Sequence, residues 1–216
     1  MNALEIPWAN ALDDLPLITP TRPEWFPAAV SDVDALLVDH AHCEQKAASM
    51  ALSLIGRYPD DAEGVRAMLA LVYEELRHFR EVLTFIERRG GRLTPPNPDR
   101  YVRLLRDWSF RHKGGVGTRA DAYLACAFVE ARSCERFRIL AAGFLAGEAG
   151  SLASDEAGEL GGFYLQLADA ERRHWTLFRD LALATGETAV VERRLQEMAE
   201  AESAIVAELP LVPRMH

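Results

Sequence analysis

Residues 73–79 read YEELRHF, and residues 171–175 read ERRHW. Each stretch holds a glutamate three residues before a histidine, Glu75 with His78 and Glu171 with His174. On a helix this spacing sets both side chains on one face, a turn apart. The two pairs are either metal-ligand cassettes or coincidences of a Glu-rich chain. Glutamate fills 20 of 216 positions and histidine six, so chance supplies ~0.6 such pairs. Two pairs are suggestive, and the rest of the chain decides between the readings.

At 216 residues the chain is long enough to bury a sizeable core as one domain. Hydrophobic residues make up 49% and charged residues 26%, the ordinary balance of a soluble globular protein. No apolar run approaches the roughly 20 residues that span a bilayer. The N-terminus, MNALEIPWANALDDLPLITP, lacks a basic segment followed by an apolar one, so no signal peptide is read there and a cytoplasmic location is expected. Cys43, Cys126 and Cys134 form no C-x-x-C and leave one thiol over in any pairing. That suits a reducing compartment and argues against a zinc–thiolate or iron–sulfur site.

A net charge of −9 speaks at first against a nucleic-acid partner. The charge is unevenly spread, however. Between Arg88 and Arg119 stand nine basic residues (Arg88, Arg89, Arg92, Arg100, Arg103, Arg106, Arg111, Lys113 and Arg119) against Asp99 and Asp107. On charge alone this segment reads as a solvated connection.

Alanine, leucine, glutamate and arginine dominate and no period-2 alternation is found, so the chain reads as all-α. Residues 1–30, with five prolines and two tryptophans, read as an irregular strap. Ser31 is the expected N-cap of a first helix over 31–57, with Asp32 and Asp34 placed to favour its dipole. Asp60 or Asp61 caps a second helix over 61–89, stopped by Gly90 and Gly91. A long connection follows, with TPPNP, KGGVG and between them a candidate short helix, YVRLLRDWSFRH. Helices over 118–147 and 154–185 come next, and an amphipathic segment over 187–209 closes the chain. Four long helices, paired by short turns with one long connection between the pairs, describe a four-helix bundle with one crossover and an additional C-terminal helix.

Charged residues are almost never buried without a partner, so their place on the apolar stripes is informative. The second helix has the stripe Val65, Met68, Val72, Glu75, Phe79, Val82, Ile86, and Glu74 points about 100° away toward solvent. The fourth gives Leu160, Tyr164, Leu167, Glu171, His174, Phe178, Leu181. The first has Val33, Leu37, His40, Glu44, Ala47, Ala51, Ile55, and the third has Tyr123, Ala127, Glu130, Cys134, Phe137, Ala141. Every helix thus aims a glutamate from near its midpoint into the interior.

Four carboxylates share an interior only if cations or protons neutralise them. Two divalent cations do so, and carboxylate with imidazole and no thiolate suits iron or manganese better than structural zinc. One glutamate from each of two helices plus Glu-x-x-His from each of the others is the ligand set of ferritin-like di-iron proteins. Here the set is Glu44, Glu75, His78, Glu130, Glu171 and His174, with Glu75 and Glu171 expected to bridge and Glu44 and Glu130 to be terminal. His40 is either a support for Glu44 or an ordinary core histidine. Glu135 faces away and is the weaker candidate on its helix. Tyr164 and Trp175 are read as packing before electron transfer, and Ala47, Ala127, Cys134, Phe79 and Phe137 as core before an oxygen pocket.

Fold and ligands alone do not choose a reaction. DHAHCEQKAAS at 39–49, YEELRHF at 73–79, FVEARSCERF at 128–137 and AERRHW from Ala170 resemble the tRNA hydroxylases that act on 2-methylthio-N6-isopentenyl-adenosine. The resemblance extends over nearly the whole chain. It implies an oxygen-dependent non-haem di-iron monooxygenase that hydroxylates the isopentenyl group of that adenosine beside the anticodon. It further implies two iron ions, O2 as co-substrate, and electrons from a separate reductase or ferredoxin, since no redox-cysteine pair or flavin motif is found. With tRNA as partner, Arg100, Arg103, Arg106, Arg111 and Lys113 become expected backbone contacts. The alternatives on the same bundle are a ferritin-type iron oxidase or store and a rubrerythrin-like peroxidase. The hydroxylase reading expects a monomer or small oligomer and no membrane partner.

Overall fold

The structure, a computed structural model, describes residues 12–112, 117–150 and 152–216. Residues 1–11 of the expected strap and Lys113 lie outside them. Regular structure among the described residues is entirely helical: α1 (Trp25–Val30), α2 (Val33–Arg57), α3 (Ala62–Arg88), α4 (Arg100–Arg111), α5 (Thr118–Leu145), α6 (Ser154–Leu183) and α7 (Thr188–Ala207). By internal contacts the chain divides into two units. One holds Ala28–Pro98 and Val212–Met215, the other the described part of Met1–Pro27 with Asp99–Leu211 and His216.

The first unit is built on the antiparallel pair α2 and α3. The α2 cap is Asp32, whose side chain accepts from Ala35 N at 2.9 Å, rather than Ser31, whose hydroxyl turns back to Ala28 O. Asp61 caps α3 by accepting from Gly64 N at 2.8 Å. The helix ends where Gly90 takes φ 73°, a conformation only glycine adopts without strain. Leu36, Leu37, Leu54, Met68, Leu71, Val72, Val82 and Ile86 are buried from the two helices. Arg89 pairs with Asp34, and His42 Nε2 bonds Thr94 O at 2.7 Å, fastening the chain that leaves α3. Met215 N donates to Asp39 Oδ2 at 2.9 Å.

The second unit is built on the pair α5 and α6, with α4 and α7 packed against α5. Part of the expected irregular strap is helical: α1 begins at Trp25, and Pro27 is tolerated because its missing N–H falls in the first turn. Phe26 lies edge-on to Phe144, 6.2 Å between centroids, in the space left by Gly143, where a Cβ would collide with the ring.

A buried polar network ties this unit together. Arg132, fully buried, donates from Nε and Nη2 to the two oxygens of Glu202, both at 2.9 Å, and pairs through Nη1 with Glu135. Glu135 also accepts from Thr21 N at 2.7 Å and Thr21 Oγ1 at 2.6 Å. Arg132 Nη2 reaches Thr19 O at 2.9 Å, and Tyr101 OH donates to Glu202 at 3.1 Å and to Phe128 O at 3.2 Å. Arg136 lies over the face of Trp25, 4.9 Å from the centroid. Burial, followed by the like charge of Arg132, lowers its guanidinium to about 10. Strap, α4, α5 and α7 are thus held by one charge-balanced cluster. Removing one partner strands an opposite charge in an apolar interior, so Glu202→Ala is expected to cost ~3–5 kcal/mol, read as a lower urea midpoint with an unchanged slope.

Candidate metal centre

Each unit carries one Glu plus Glu-x-x-His triad, because each pairs a helix bearing a single stripe glutamate with one bearing the i, i+3 pair. In the first unit these are Glu44 on α2 and Glu75 with His78 on α3, exposed by 3%, 1% and 1%. Their ligand atoms lie within 4.8 Å of one another. His78 Nδ1 is 3.4 Å from Glu75 Oε2 and 3.6 Å from Glu44 Oε2. Its other nitrogen lies 3.0 Å from Arg77 Nη2, a guanidinium that reaches solvent and pairs with Glu81 at 2.9 Å. Glu74 stands on the outer side, as its angle from Glu75 requires.

Electrostatics show what this pocket favours. Burial on its own lowers the His78 imidazole pKa, yet hydrogen bonding to Glu44 and Glu75, with the charge of both, outweighs it and raises the value to about 10. Two buried carboxylates facing one imidazole nitrogen make a pocket that favours positive charge. His40, fully buried, lies with Nε2 2.7 Å from Glu44 Oε1 and fixes the direction of that carboxylate.

In the second unit the triad is Glu130 on α5 and Glu171 with His174 on α6, exposed by 3%, 2% and 3%. The three ligand atoms again lie within 4.8 Å of one another. His174 Nδ1 is 3.4 Å from Glu171 Oε2, and that oxygen accepts no hydrogen bond among the described residues. Ala127, Phe137, Tyr164, Leu167 and Phe178 are buried on the same helices. Cys134 donates from Sγ to Ala168 O at 3.2 Å, and burial pushes its thiol up to about 12. Tyr164 stacks on Phe144 at 5.8 Å, and Trp175 donates from Nε1 to Asp14 O at 3.0 Å. Packing accounts for both rings. Glu135 is committed to Arg132 and Thr21 and so is no ligand.

Each triad offers two carboxylates and one imidazole presented through Nδ1. This oxygen-and-nitrogen donor set, buried and without thiolate, fits a divalent iron or manganese ion. A half-open cavity of about 630 Å³ in the first unit is lined by Asp32, Asp34, Asp39, His42, Arg89 and Thr94 among others, and by none of the triad residues. Arg100, Arg103, Arg106 and Arg111 stand exposed on α4. Two features escaped sequence reasoning. The Arg132 cluster joins residues far apart in the chain and leaves no local signal. Phe110, 77% exposed on the arginine face of α4, carries no pattern signal that separates it from a core aromatic.

Comparison with known proteins follows this geometry. Residues 12–216 match the family model described as tRNA-(MS[2]IO[6]A)-hydroxylase (MiaE). A tRNA 2-(methylsulfanyl)-N(6)-isopentenyladenosine(37) hydroxylase of Pseudomonas putida is 36% identical over 197 residues, covering 91% of this chain and 89% of that protein. One of Salmonella typhimurium with the same description is 27% identical, covering 87% and 82%. A solved structure, protein 43 with aldehyde deformylating oxygenase activity from Synechococcus, superposes with TM-score 0.79 at 32% identity, covering 93% of this chain and 94% of that one. The fold is therefore the expected all-α, ferritin-like four-helix class with one long crossover and an additional C-terminal helix. Removing a group that orients a ligand typically weakens metal binding 10- to 100-fold. His40→Ala is expected to do so in anaerobic ferrous titrations, with His40→Gln losing less; equal affinity in all three proteins would deny His40 that role.

Proposed function

The chain belongs to the tRNA-(MS[2]IO[6]A)-hydroxylase (MiaE) family, and on that premise we propose that it hydroxylates the isopentenyl group of 2-methylthio-N6-isopentenyl-adenosine in tRNA, beside the anticodon. The chain is taken as a single ferritin-like domain, and each triad would hold metal, two iron ions in all. The observation that carries this reading is the pair of buried triads, Glu44 with Glu75 and His78, and Glu130 with Glu171 and His174, each a carboxylate-rich pocket that favours positive charge. When bound, the irons supply oxygen chemistry: one atom of O2 enters a C–H bond of the substrate as hydroxyl, and the other leaves as water with two protons and two external electrons.

The chain's own part is to place and enclose. Glu44, Glu75 and His78 would hold metal in the first unit and Glu130, Glu171 and His174 in the second, and His40 keeps Glu44 in position. Ala127, Phe137, Tyr164 and Phe178 keep the surroundings of the second triad apolar, which limits water near the reacting carbon. Electrons come from a separate reductase or ferredoxin. The protein acts in the cytoplasm, where its RNA substrate is found, as a monomer or small oligomer. Arg100, Arg103, Arg106, Arg111 and Lys113 contact the tRNA backbone as a local excess of positive charge on an acidic protein.

The test incubates iron-loaded protein with hypomodified tRNA, reductant and O2, followed by mass spectrometry of the nucleosides. The expected product is the isopentenyl-adenosine carrying one more oxygen. Two bound irons without that product would retain the site and remove the substrate, leaving iron oxidation and storage or peroxide reduction. Glu75→Ala and Glu171→Ala are expected to lose most of the iron and all hydroxylation; full iron content in both would refute the ligand assignment. Neutralising Arg100, Arg103 and Arg106 together is expected to raise the tRNA Kd and flatten its salt dependence by about three phosphate contacts, with iron content unchanged.

A further inference from the structure

Helix α4 is held by one face and displays another. Tyr101, Leu105 and Ser109, at helical spacing, are buried. Arg194, itself buried, donates to Ser109 O at 3.4 Å and to Asp121 Oδ1 at 2.7 Å, and lies over the Trp108 ring at 4.6 Å. His112 stacks on the same indole, 5.2 Å between centroids. The C-terminal turn of α4 is thus a fixed platform.

On the opposite face Arg103, Arg106 and Phe110 follow one another at i, i+3 and i+7, with Arg111 beside them. Phe110 is 77% exposed, the most exposed large hydrophobic side chain among the described residues. At that exposure most of its ring faces solvent. Arg103 and Arg106 form no ion pair among the described residues, and the whole helix carries four arginines against Asp107. The other strongly exposed ring, Tyr73 at 69%, has a different setting, because its neighbour Arg77 is paired with Glu81 and Glu74. An aromatic face bordered by uncompensated guanidiniums is the arrangement that binds single-stranded nucleic acid, stacking a base and holding its phosphate. Side chains four apart on a helix stand about 5–6 Å apart at Cβ, so Arg106 is placed to reach the phosphate of a base lying on Phe110.

We propose that Phe110 is a base-stacking residue for an unpaired nucleotide of the RNA substrate, with Arg103 and Arg106 gripping the adjoining phosphates. This rests on the tRNA reading above. The stacked base is a neighbour of the modified adenosine and not that adenosine. Ser109 lies beside Asp121 through Arg194, and Asp121 precedes Glu130 by nine residues of α5, or about 14 Å of helix. Phe110 projects from the solvent side of α4 whereas Glu130 is buried on α5, so a base stacked on that ring is not the one presented to Glu130. The face therefore reads the loop that carries the target, and a free modified nucleoside lacks the part that it binds.

The experiment uses the full-length iron-loaded protein and an anticodon stem-loop RNA with 2-aminopurine at successive loop positions. Wild type is expected to quench the fluorophore at one position flanking the target. Phe110→Ala should abolish that quench and raise Kd by roughly 5- to 150-fold, with an unchanged salt slope. Phe110→Trp should retain both, and Phe110→Leu, apolar but without a π face, should behave as the alanine variant. Circular dichroism and iron content, unaltered in all variants, show that the fold is intact. Leucine binding as well as phenylalanine, or alanine leaving Kd unchanged, overturns the proposal while the tRNA reading stands. A defect confined to turnover with a protein electron donor, with RNA binding intact, assigns the face to that donor and overturns it as well. Wild type that neither binds nor hydroxylates the RNA brings down the tRNA reading itself.

Discussion

A carboxylate in an apolar interior must be answered by positive charge, and the protein uses two kinds of answer on a single helix. On α5, Glu130 and Glu135 stand five residues apart and both are buried. Glu135 is answered from within the chain, by Arg132 and two donors of Thr21. Glu130 instead converges with Glu171 and His174, a grouping with two acids and one imidazole. The first arrangement is charge-balanced as it stands and fixes strap, α4 and α7 to α5. The second is rich in negative charge, and so is its counterpart at Glu44, Glu75 and His78, where two carboxylates hold an imidazole proton against the effect of burial. Structure and chemistry divide along that line.

Each triad is assembled by two helices adjacent in sequence, α2 with α3 and α5 with α6. The contacts that bring its members together are therefore local, and local contacts form rapidly during folding. A candidate ligand set divided in this way needs little of the rest of the chain to take shape.

Much of this was legible in the sequence, for a physical reason. A helix that packs by one face must place apolar residues at 3.6-residue spacing, so a glutamate on that stripe stands out, as Glu44, Glu75, Glu130 and Glu171 all do. The start of α3 at Asp60 or Asp61 and its stop at Gly90 were visible because capping chemistry is local. Asp32 displaced Ser31 as a cap because two adjacent residues of nearly equal capping propensity cannot be ranked without the backbone. The six-residue α1 was hidden because its proline signals irregular chain everywhere except in a first helical turn. The Arg132 cluster draws on Thr19, Thr21, Tyr101, Glu135 and Glu202, whose meeting is decided only by tertiary structure. A buried arginine in such a cluster is indistinguishable by pattern from any exposed one, and a helical aromatic such as Phe110 is by pattern simply one more apolar residue.

Cys134 stands one turn beyond Glu130, on the same stripe, in a protein of a hydroxylase family. Sulfur is oxidised by way of its thiolate. With the proton held by burial and directed at the Ala168 carbonyl, the thiol stays protonated at neutral pH. The interior thereby accommodates a soft, well-packing atom one turn from a candidate metal ligand, and dryness keeps that atom unreactive. A change that admitted water beside Cys134 would do harm twice, by loosening the packing there and by giving the sulfur back its reactivity.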